Sequence, residues 1–319
     1  MKKFVSLLAA ALMLLSLAAC GETEPRDPDE KVFRIGICQL AEHPALDLAT
    51  EGFTEALTEK LGDRVSFDIQ NAQGEQPNCT TIINKFVSSR VDLIMGNATN
   101  AVKAAREATS DIPIIGTSVT DYAASGLVAA NDAPGENLTG VSDSNPVAMQ
   151  VSLMQKLCPG VKTVGIVTCS GEENSAIQAE EAKAAFEAEG FAVKLYTVAD
   201  SNEIQPVVTK ACTEVDAFYE PTDNLISSNI TTMSNITTPA GKPVICAEGS
   251  QVEGGFLAAR SISYLDLGRK AGNMAYEILV NGADPASMPI EFFTAGELTL
   301  TVNEETAAEL GIELPADLK

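Results

Sequence analysis

The sequence predicts an α/β protein with two doubly wound lobes, each built on a parallel sheet that is covered by helices on both faces. Three observations support this fold class. Short, continuously apolar segments alternate with segments of helical period, as in sheets buried on both faces. This alternation is interrupted by a stretch rich in Gly, Pro, Asn and Ser at 132–145, and then starts again. Polar residues follow directly after the apolar segments, where parallel strands end.

The first strand–loop–helix unit spans residues 31–47, which read KVFRIGICQLAEHPALD. Residues 32–37 have the apolar, β-branched pattern of a strand. Pro44 stands at the first position of the following helix, where its missing N–H costs nothing. The loop between the two elements carries three polar side chains, the last of them the only histidine of the chain: Gln39, Glu42 and His43.

The rest of the chain repeats this unit. In the first half, the pattern predicts strands at 65–69, 91–95 and 112–115, with helices at 77–89 and 101–109. In the second half, helices at 149–157, 175–189, 203–212 and 225–237 alternate with strands at 163–167, 193–198, 215–219 and 243–247. A strand at 257–262 is expected to cross between the lobes, before a helix at 266–280, a strand at 297–302 and a helix at 304–310.

The first twenty residues belong to neither lobe. An apolar run at 4–17 follows two lysines, is too short to span a bilayer, and ends in LAACG. Small residues before a cysteine resemble the lipobox of bacterial lipoproteins. We therefore expect residues 1–20 to be a lipoprotein signal peptide with Cys20 as the lipidated residue, a plain signal peptide being the alternative. Residues 21–31 read as a flexible tether. The folded part is expected outside the cytoplasm, anchored to the cell membrane by its lipid alone.

The chain is strongly acidic, with a formal net charge of −23. Nucleic acid and anionic lipid head groups would repel it, so both are excluded as binding partners.

After Cys20 the chain has six more cysteines, which form no CxxC pair, and the single histidine argues against a zinc site. An even cysteine number in an exported protein is compatible with disulfides. The apolar surroundings of most of these residues favour buried free thiols instead. The six are Cys38, Cys79, Cys158, Cys169, Cys212 and Cys246.

Six polar loops follow the predicted strands: QLAEH, GNATN and TSVTD in the first half, and TCSGEENS, EPTDN and AEGS in the second. Two lobes placed face to face would bring these loops around one cleft, a usual position for small-molecule sites. Asn, Ser, Asp and Gly are common in turns and at helix N-caps, which is enough to explain the polar residues of any single loop. Turns do not require carboxylates, however, and their presence favours a ligand site. The carboxylates are Glu42, Asp121, Asp223 and Glu248.

The loops indicate the chemistry of the ligand. Helix N-termini at 99–100, 170–175 and 222–223 suit a carboxylate. A carboxylate such as Asp223 or Glu248 suits an ammonium group. Together these two requirements describe an amino-acid zwitterion. The chain has no Trp and 5% aromatic residues, so it offers few flat faces on which a sugar could stack.

Enzymatic function finds little support in the sequence. No GxSxG elbow, P-loop or GxGxxG motif is present. His43 lies beside Glu42 and would be the general base of an exported hydrolase, but a histidine before a proline is more typical of a loop or helix cap. We expect no catalytic residue, no metal and no cofactor.

Several segments together resemble a known family: IGICQLAEHPALDLATEGFTEAL, DIQNAQGEQ, KFVSSRVDLIMGNATNA, DIPIIGTSVTD, GENLTGVSD, YEPTDN and YLDLGRKAGNMAYEIL. They resemble the ABC-transporter substrate-binding lipoproteins of the periplasmic-binding-protein-like family, in particular the group associated with tryptophan and other aromatic amino acids. The resemblance implies two Rossmann-like lobes of the type I kind, joined by crossover strands. Lobe 1 would comprise 32–141 plus about 263–285, and lobe 2 would comprise 142–262 plus about 286–319.

The resemblance also implies a function and a site. The chain would be the solute-binding component of an importer, with a membrane permease and an ATP-hydrolysing subunit as partners. No feature of the sequence requires an oligomer, so a monomer is the default expectation. A sensor lipoprotein, or a receptor for a sugar or nucleoside, is the alternative. First-lobe ligand contacts would be Gln39, Glu42, His43, Asn97, Thr99, Thr120 and Asp121. Hinge contacts would be Ser142 and Asp143, and second-lobe contacts Ser170, Asn174, Ser175, Thr222, Asp223, Asn224 and Glu248. Asn100 stands where the family pattern Ala-Thr-Pro has a proline.

Overall fold

Residues 31–318 are the part of the chain that the structure, a computed structural model, describes. The expected signal peptide with Cys20 lies outside this range, as do residues 21–30 of the expected tether and Lys319.

In the described residues the strands form two sheets. The first sheet has the order β2-β1-β3-β4-β5 and is parallel throughout. Its strands are β1 Phe33–Gln39, β2 Val65–Asn71, β3 Leu93–Asn97, β4 Ile114–Val119 and β5 Leu138–Ser142. The second sheet has the order β11-β10-β9-β8-β6-β7, and β11 pairs with β10 in the antiparallel sense. Its strands are β6 Thr163–Cys169, β7 Ala192–Val198, β8 Ala217–Glu220, β9 Val244–Cys246, β10 Ala258–Ser261 and β11 Thr299–Val302.

The α-helices connect these strands. In chain order they are α1 Pro44–Leu61, α2 Gln76–Ser89, α3 Thr99–Ala108, α4 Val147–Leu157, α5 Glu173–Ala188, α6 Ser201–Cys212, α7 Asn224–Ser227, α8 Ile230–Thr237, α9 Gly249–Glu253, α10 Tyr264–Asn281 and α11 Glu304–Glu309. Short 3-10 turns lie at Gly62–Arg64, Pro285–Ser287, Ala295–Glu297 and Ala316–Leu318.

Each sheet is covered by helices on both faces, which confirms the doubly wound fold. The first sheet packs α2 and α3 on one face and α1 and α10 on the other. The second packs α4 and α5 on one face and α6 and α8 on the other. Because neither face meets solvent, β3 and β4 are buried along their whole length, which explains their continuous apolar sequence.

Helices α1 and α10 pack closely because glycines line their contact. A Cβ on Gly52 would lie 2.0 Å from the carbonyl oxygen of Leu265, and one on Gly268 would lie 2.1 Å from that of Ala49. The close contact ties α10 to the first lobe, although the chain reaches it from the second sheet. As a result, Tyr264 begins α10 beside the crossover between the lobes.

Two predicted elements differ in the structure. Residues 132–145 contain a fifth strand, β5, and the chain leaves the first sheet only after Ser142. The short apolar centre of that stretch pairs with β4, which its Gly- and Asn-rich flanks concealed. The helix predicted at 225–237 is divided into α7 and α8 around Ser228 and Asn229.

The predicted lobe bounds are wrong for residues 286–298. The expected bounds, about 286–319, place them in lobe 2, but Ile290 and Leu298 fill the cores of the first lobe. Glu291 N also donates to Gly140 O at 2.9 Å. The segment has no strand or helix period, so its pattern does not indicate which core its few apolar side chains enter.

The cysteines of the folded part are buried and free, as the apolar surroundings predicted. This holds for each one within residues 31–318: Cys38, Cys79, Cys158, Cys169, Cys212 and Cys246.

Candidate ligand-binding site

A small cavity lies between the two sheets, at the carboxyl ends of their strands. In this arrangement the lobes are in contact around it, and it has room for about one water molecule. Side chains from both lobes and from the crossover segments line it: His43, Leu46, Ser118, Asp143, Asn174, Thr222, Asn224, Glu248 and Tyr264.

Two carboxyl groups line this cavity, Asp143 and Glu248. They are 3% and 3% exposed, respectively, and among residues 31–318 no lysine or arginine lines the cavity with them. Burial raises the pKa of Asp143 to about 6. Burial, followed by the nearby Asp143, raises the pKa of Glu248 to about 8. The cavity therefore holds acidic groups whose charged forms lack a compensating cation, and a cationic ligand group would stabilise them.

The oxygens of these carboxyl groups are only partly satisfied. Asp143 Oδ2 accepts a hydrogen bond from the Tyr264 hydroxyl at 3.0 Å, while Oδ1 has no partner within the described range. Glu248 Oε2 accepts from Ser227 Oγ at 3.2 Å and from Ser250 Oγ at 3.3 Å. Acceptor positions facing the cavity thus remain for a ligand.

A third acidic residue, Glu220, is buried in the second lobe, as Glu248 is. It is fully buried, and neither of its carboxyl oxygens has a hydrogen-bond partner among residues 31–318. Burial, then the nearby carboxylates of Asp223 and Glu248, raises its pKa well above the ordinary value. Burial therefore favours the neutral form of Glu220.

His43 reaches across the cleft to the second lobe. Its Nε2 lies 3.1 Å from Asn224 Oδ1, and Asn224 Nδ2 donates to Glu172 Oε2 at 2.6 Å. Glu172 also accepts backbone hydrogen bonds from Asn224 and Leu225, both at 2.9 Å, at the start of α7. Burial lowers the pKa of His43, so its ring is neutral.

A polar network holds the first-lobe side of the cavity in place. Asn97 Nδ2 donates to Leu46 O at 2.8 Å, and Ser118 Oγ donates to Asn97 Oδ1 at 2.8 Å. Gln39 accepts from Thr50 Oγ1 at 2.6 Å, which links the end of β1 to α1. These bonds fix the first turns of α1, and with them Leu46, against the strand ends.

Direct contacts between the lobes close one wall of the cavity. Thr120 and Thr222, from opposite lobes, have their hydroxyls 3.2 Å apart. Gln178 Nε2 donates to Thr120 Oγ1 at 2.6 Å and also to Thr222 Oγ1. At the outer edge, Asn100 Nδ2 donates to Gly171 O at 3.3 Å, which also joins the lobes.

The N-terminus of α3 faces the cleft with an unusual backbone. Ala98 precedes the helix with φ 83°, and Ser118 on the neighbouring strand has φ 55°. Such conformations cost about 1–3 kcal/mol in a residue other than glycine and cluster at functional sites. Thr99, the first helical residue, is 2% exposed, and its Oγ1 lacks a partner within residues 31–318.

Both lobes also line a wider pocket at the mouth of the cleft. Its walls include Leu40 and Ala41 from the first lobe and Leu225 from the second. Asn224 lines this pocket as well as the cavity, so the two spaces adjoin.

The sequence-predicted site residues fall into three groups. The first lines the cavity: His43, Asp143, Asn174, Thr222, Asn224 and Glu248. The second, largely buried, lies in the layer around it: Gln39, Asn97, Thr99, Thr120, Ser142, Ser175 and Asp223. The third lies apart from the cavity, since Glu42 and Ser170 are exposed and Asp121 caps the turn at Ala123 and Ala124.

Sequence reasoning missed several residues of the site. Ser118 and Glu172 lie inside the polar loops TSVTD and TCSGEENS, so membership of these loops is their signal. Gln178 follows Asn174 by one helical turn, and this spacing places both on one face of α5. Leu46 and Tyr264 had no such signal, because apolar and aromatic residues at helix starts are ordinary core residues.

Two parallel-sheet lobes with a polar cavity between their strand ends define a two-lobed solute-binding protein of the type I periplasmic-binding-protein fold. A sequence model of the ABC transporter substrate binding protein family matches residues 34–319. The chain belongs to this family, whose members act outside the cytoplasm. None of the helices at residues 31–318 is long and apolar enough to cross a membrane.

Three relatives are informative. The tyrosine-binding protein of Clostridioides difficile (strain R20291) is 35% identical over 329 residues, covering 99% of this chain and 94% of that protein. A Streptococcus pneumonia ABC domain in complex with L-Trp is 37% identical with a TM-score of 0.87, over 90% of this chain and 97% of the other. The ligand-free, open structure of a Clostridium difficile substrate binding protein with adhesive properties is 38% identical with a TM-score of 0.69, over the same shares.

The structure superimposes more closely on the L-Trp complex than on the ligand-free, open structure, at nearly equal sequence identity. The cavity between its lobes is small.

Proposed function

We propose that this protein captures an aromatic L-amino acid between its lobes and delivers it to an ABC importer. The observation that carries the proposal is the pair Asp143 and Glu248, two buried carboxyl groups on one cavity that no lysine or arginine lines within residues 31–318. Buried charges in proteins are paired, so this pair calls for a cation from the ligand. The α-ammonium group of an amino acid supplies it.

The ligand carboxylate would lie at the start of α3. Unpaired N–H groups and the helix dipole favour an anion there, and the Thr99 hydroxyl is a buried donor without a partner in the described chain. Thr99 and Asp143 would then hold the two ends of the zwitterion.

An aromatic side chain is supported by the relatives, one named a tyrosine-binding protein and one solved with L-Trp. The cavity is too small for a ring, so the lobes must separate to admit one. The ring would extend toward the mouth pocket, where Leu40, Ala41 and Leu225 offer apolar surface.

Capture by closure follows from the way in which the chain connects the sheets. In residues 31–318 it crosses between them after β5, after β10 and before β11. These segments would act as the hinge, and the ligand would stabilise the closed state because only that state offers contacts from both lobes. A permease and an ATP-hydrolysing subunit would receive the ligand. Cys20 would anchor the protein by its lipid, and the chain would catalyse no reaction.

The test is a binding screen on the mature, lipid-free chain. Thermal shift and calorimetry would compare L-Tyr, L-Trp and L-Phe with sugars and nucleosides. A ligand at a hundredfold excess over its Kd should add about 2.7 kcal/mol to the free energy of unfolding. Binding of sugars or nucleosides alone, or of nothing in the panel, would overturn the ligand assignment. Loss of labelled amino-acid uptake on gene deletion would distinguish a transporter component from a sensor.

A further inference from the structure

We propose that His43 contacts the ligand's ammonium group directly, through Nδ1, and that a hydrogen-bond chain across the cleft fixes Nδ1 as an acceptor. The chain runs from Glu172 through Asn224 to His43. This inference rests on the proposed function, because it concerns how the same cavity recognises an amino acid.

The first step is the orientation of the Asn224 side chain. Its Nδ2 donates to Glu172 Oε2 at 2.6 Å, and the backbone N–H of the same residue donates to that oxygen at 2.9 Å. Both Glu172 oxygens accept a backbone N–H, Oε2 from Asn224 and Oε1 from Leu225. These acceptor oxygens select the amide nitrogen of the Asn224 side chain. The amide oxygen, Oδ1, is thereby turned toward the first lobe.

The second step is the tautomer of His43. Oδ1 of Asn224 only accepts, and Nε2 of His43 lies 3.1 Å from it, so Nε2 must carry the proton. The ring is 4% exposed and therefore strongly disfavours a second proton. Nδ1 is then unprotonated and can only accept a hydrogen bond.

The third step is what Nδ1 faces. His43 and Asp143 line the same cavity, and His43 Nδ1 and Asp143 Oδ1 are both buried without a partner in the part of the chain that is described. An ammonium group has three N–H donors. It would donate one hydrogen bond to His43 Nδ1 and one to Asp143 Oδ1, and its third N–H would remain for Glu248. A ligand without the ammonium would leave them unpaired, a large penalty in a buried site.

The arrangement couples recognition to closure. His43 belongs to the first lobe and Asn224 to the second, so the hydrogen bond that sets the tautomer forms only when the lobes close. Closure on an amino acid therefore supplies a correctly oriented acceptor, whereas the open protein leaves the ring free to take either tautomer.

The chain's single histidine makes a direct test possible. The mature chain, made without a histidine tag and with ¹⁵N-labelled histidine, would be measured by NMR with saturating L-Tyr or L-Phe. We expect the proton on Nε2, and an Nδ1 signal characteristic of an unprotonated, hydrogen-bonded nitrogen. A proton on Nδ1, or an Nδ1 signal that binding does not shift, would overturn the inference while leaving the proposed function intact. Failure of every amino acid to bind would instead overturn the proposed function, and this inference with it.

A matched pair of variants distinguishes the roles of the two ring nitrogens of His43. His43→Gln places an amide near the Nε2 position and keeps a donor for Asn224, while His43→Asn places one near the Nδ1 position. The readout is the ratio of affinities for L-Phe and for 3-phenylpropanoate, which lacks the ammonium. We expect His43→Gln to lower this ratio by about tenfold or more, and His43→Asn to preserve most of it. Equal loss of the ratio in both variants, or in neither, would contradict a role for Nδ1.

Discussion

Tyr264 donates a hydrogen bond to Asp143 Oδ2 at 3.0 Å, although 121 residues separate the two in sequence. Asp143 follows β5, where the chain leaves the first sheet, and Tyr264 begins α10, where the chain returns to that lobe. The bond therefore joins two crossover segments at the cavity wall. It also supports the charged form of Asp143, because a donated hydrogen bond opposes the effect of burial on the pKa of this carboxyl group.

Replacement of Tyr264 by Phe should weaken amino-acid binding by about tenfold or more, since a hydrogen bond to a charged group contributes about 1.5–3 kcal/mol. Calorimetric titration would measure the change. Tyr122→Phe is the matched control. Its hydroxyl donates to Val141 O at 3.1 Å in the first-lobe core, so its loss should lower stability and leave affinity unchanged. Equal loss of affinity in the two variants would contradict a role for Tyr264 at the site.

Glu248→Gln should make the ligand-free protein relatively more stable at alkaline pH. The pKa of Glu248 is about 8 in the folded protein against an ordinary 4.5, so the folded state binds more protons than the unfolded state between these values. Stability from this group is therefore present below about pH 4.5 and is lost as pH rises toward 8. Glutamine does not titrate, so the variant's advantage should grow by roughly 1–3 kcal/mol between pH 5 and pH 8.

Urea unfolding at the two pH values would measure this difference, with Glu42→Gln as an exposed control. Parallel pH profiles for Glu248→Gln and the wild type would contradict the raised pKa. In ligand titrations the same variant should bind amino acids more weakly, because the ammonium loses a carboxylate partner.

Gln178 and Lys103 both contact the opposite lobe but should differ in importance. Gln178 is buried and donates to Thr120 and Thr222, so Gln178→Ala should weaken binding by about tenfold or more. Lys103 pairs with Glu173 at 3.4 Å, with side chains 45% and 51% exposed. Exposed ion pairs contribute about 0–1 kcal/mol, so Lys103→Ala should change Kd by less than about fivefold. The reverse order of effects in calorimetry would show that closure depends on the outer contacts.

Gly268→Ala should destabilise the fold by about 1–3 kcal/mol, because the added methyl group would force α1 and α10 apart. Gly296→Ala is a suitable control, since a Cβ there meets nothing within 4 Å. Chemical denaturation would compare the two. If Gly268→Ala were as mild as the control, the close helix contact would not be required for stability.

The thiols of Cys158 and Cys169 should be inert until the protein unfolds. Burial raises the pKa of Cys158 to about 12 and that of Cys169 to about 11, so neither forms much of the reactive thiolate near neutrality. A thiol reagent added to the mature lipid-free chain should react slowly in buffer and rapidly in denaturant. Rapid reaction in buffer would show that the core opens locally around these residues.

Much of the fold could be predicted because the relevant information is local. The switch from an apolar run to helical period at Pro44 defined β1 and α1, and the polar loops marked the strand ends at His43, Asn174 and Asn224. The prediction was wrong for residues 286–298, which carry no periodic pattern and pack where the tertiary structure leaves room. It also missed β5, whose Gly- and Asn-rich flanks resemble a linker.

The sequence by itself determined the alternation of strands and helices, the acidic charge, and the set of polar loops that meet at the cleft. Periodicity and loop chemistry are properties of neighbouring residues, so they can be read along the chain. Only the tertiary structure decided which of those residues share the cavity. Contacts such as His43 with Asn224 and Tyr264 with Asp143 join residues far apart in sequence. Their burial, which sets the protonation of the site, arises from the closure of one lobe upon the other.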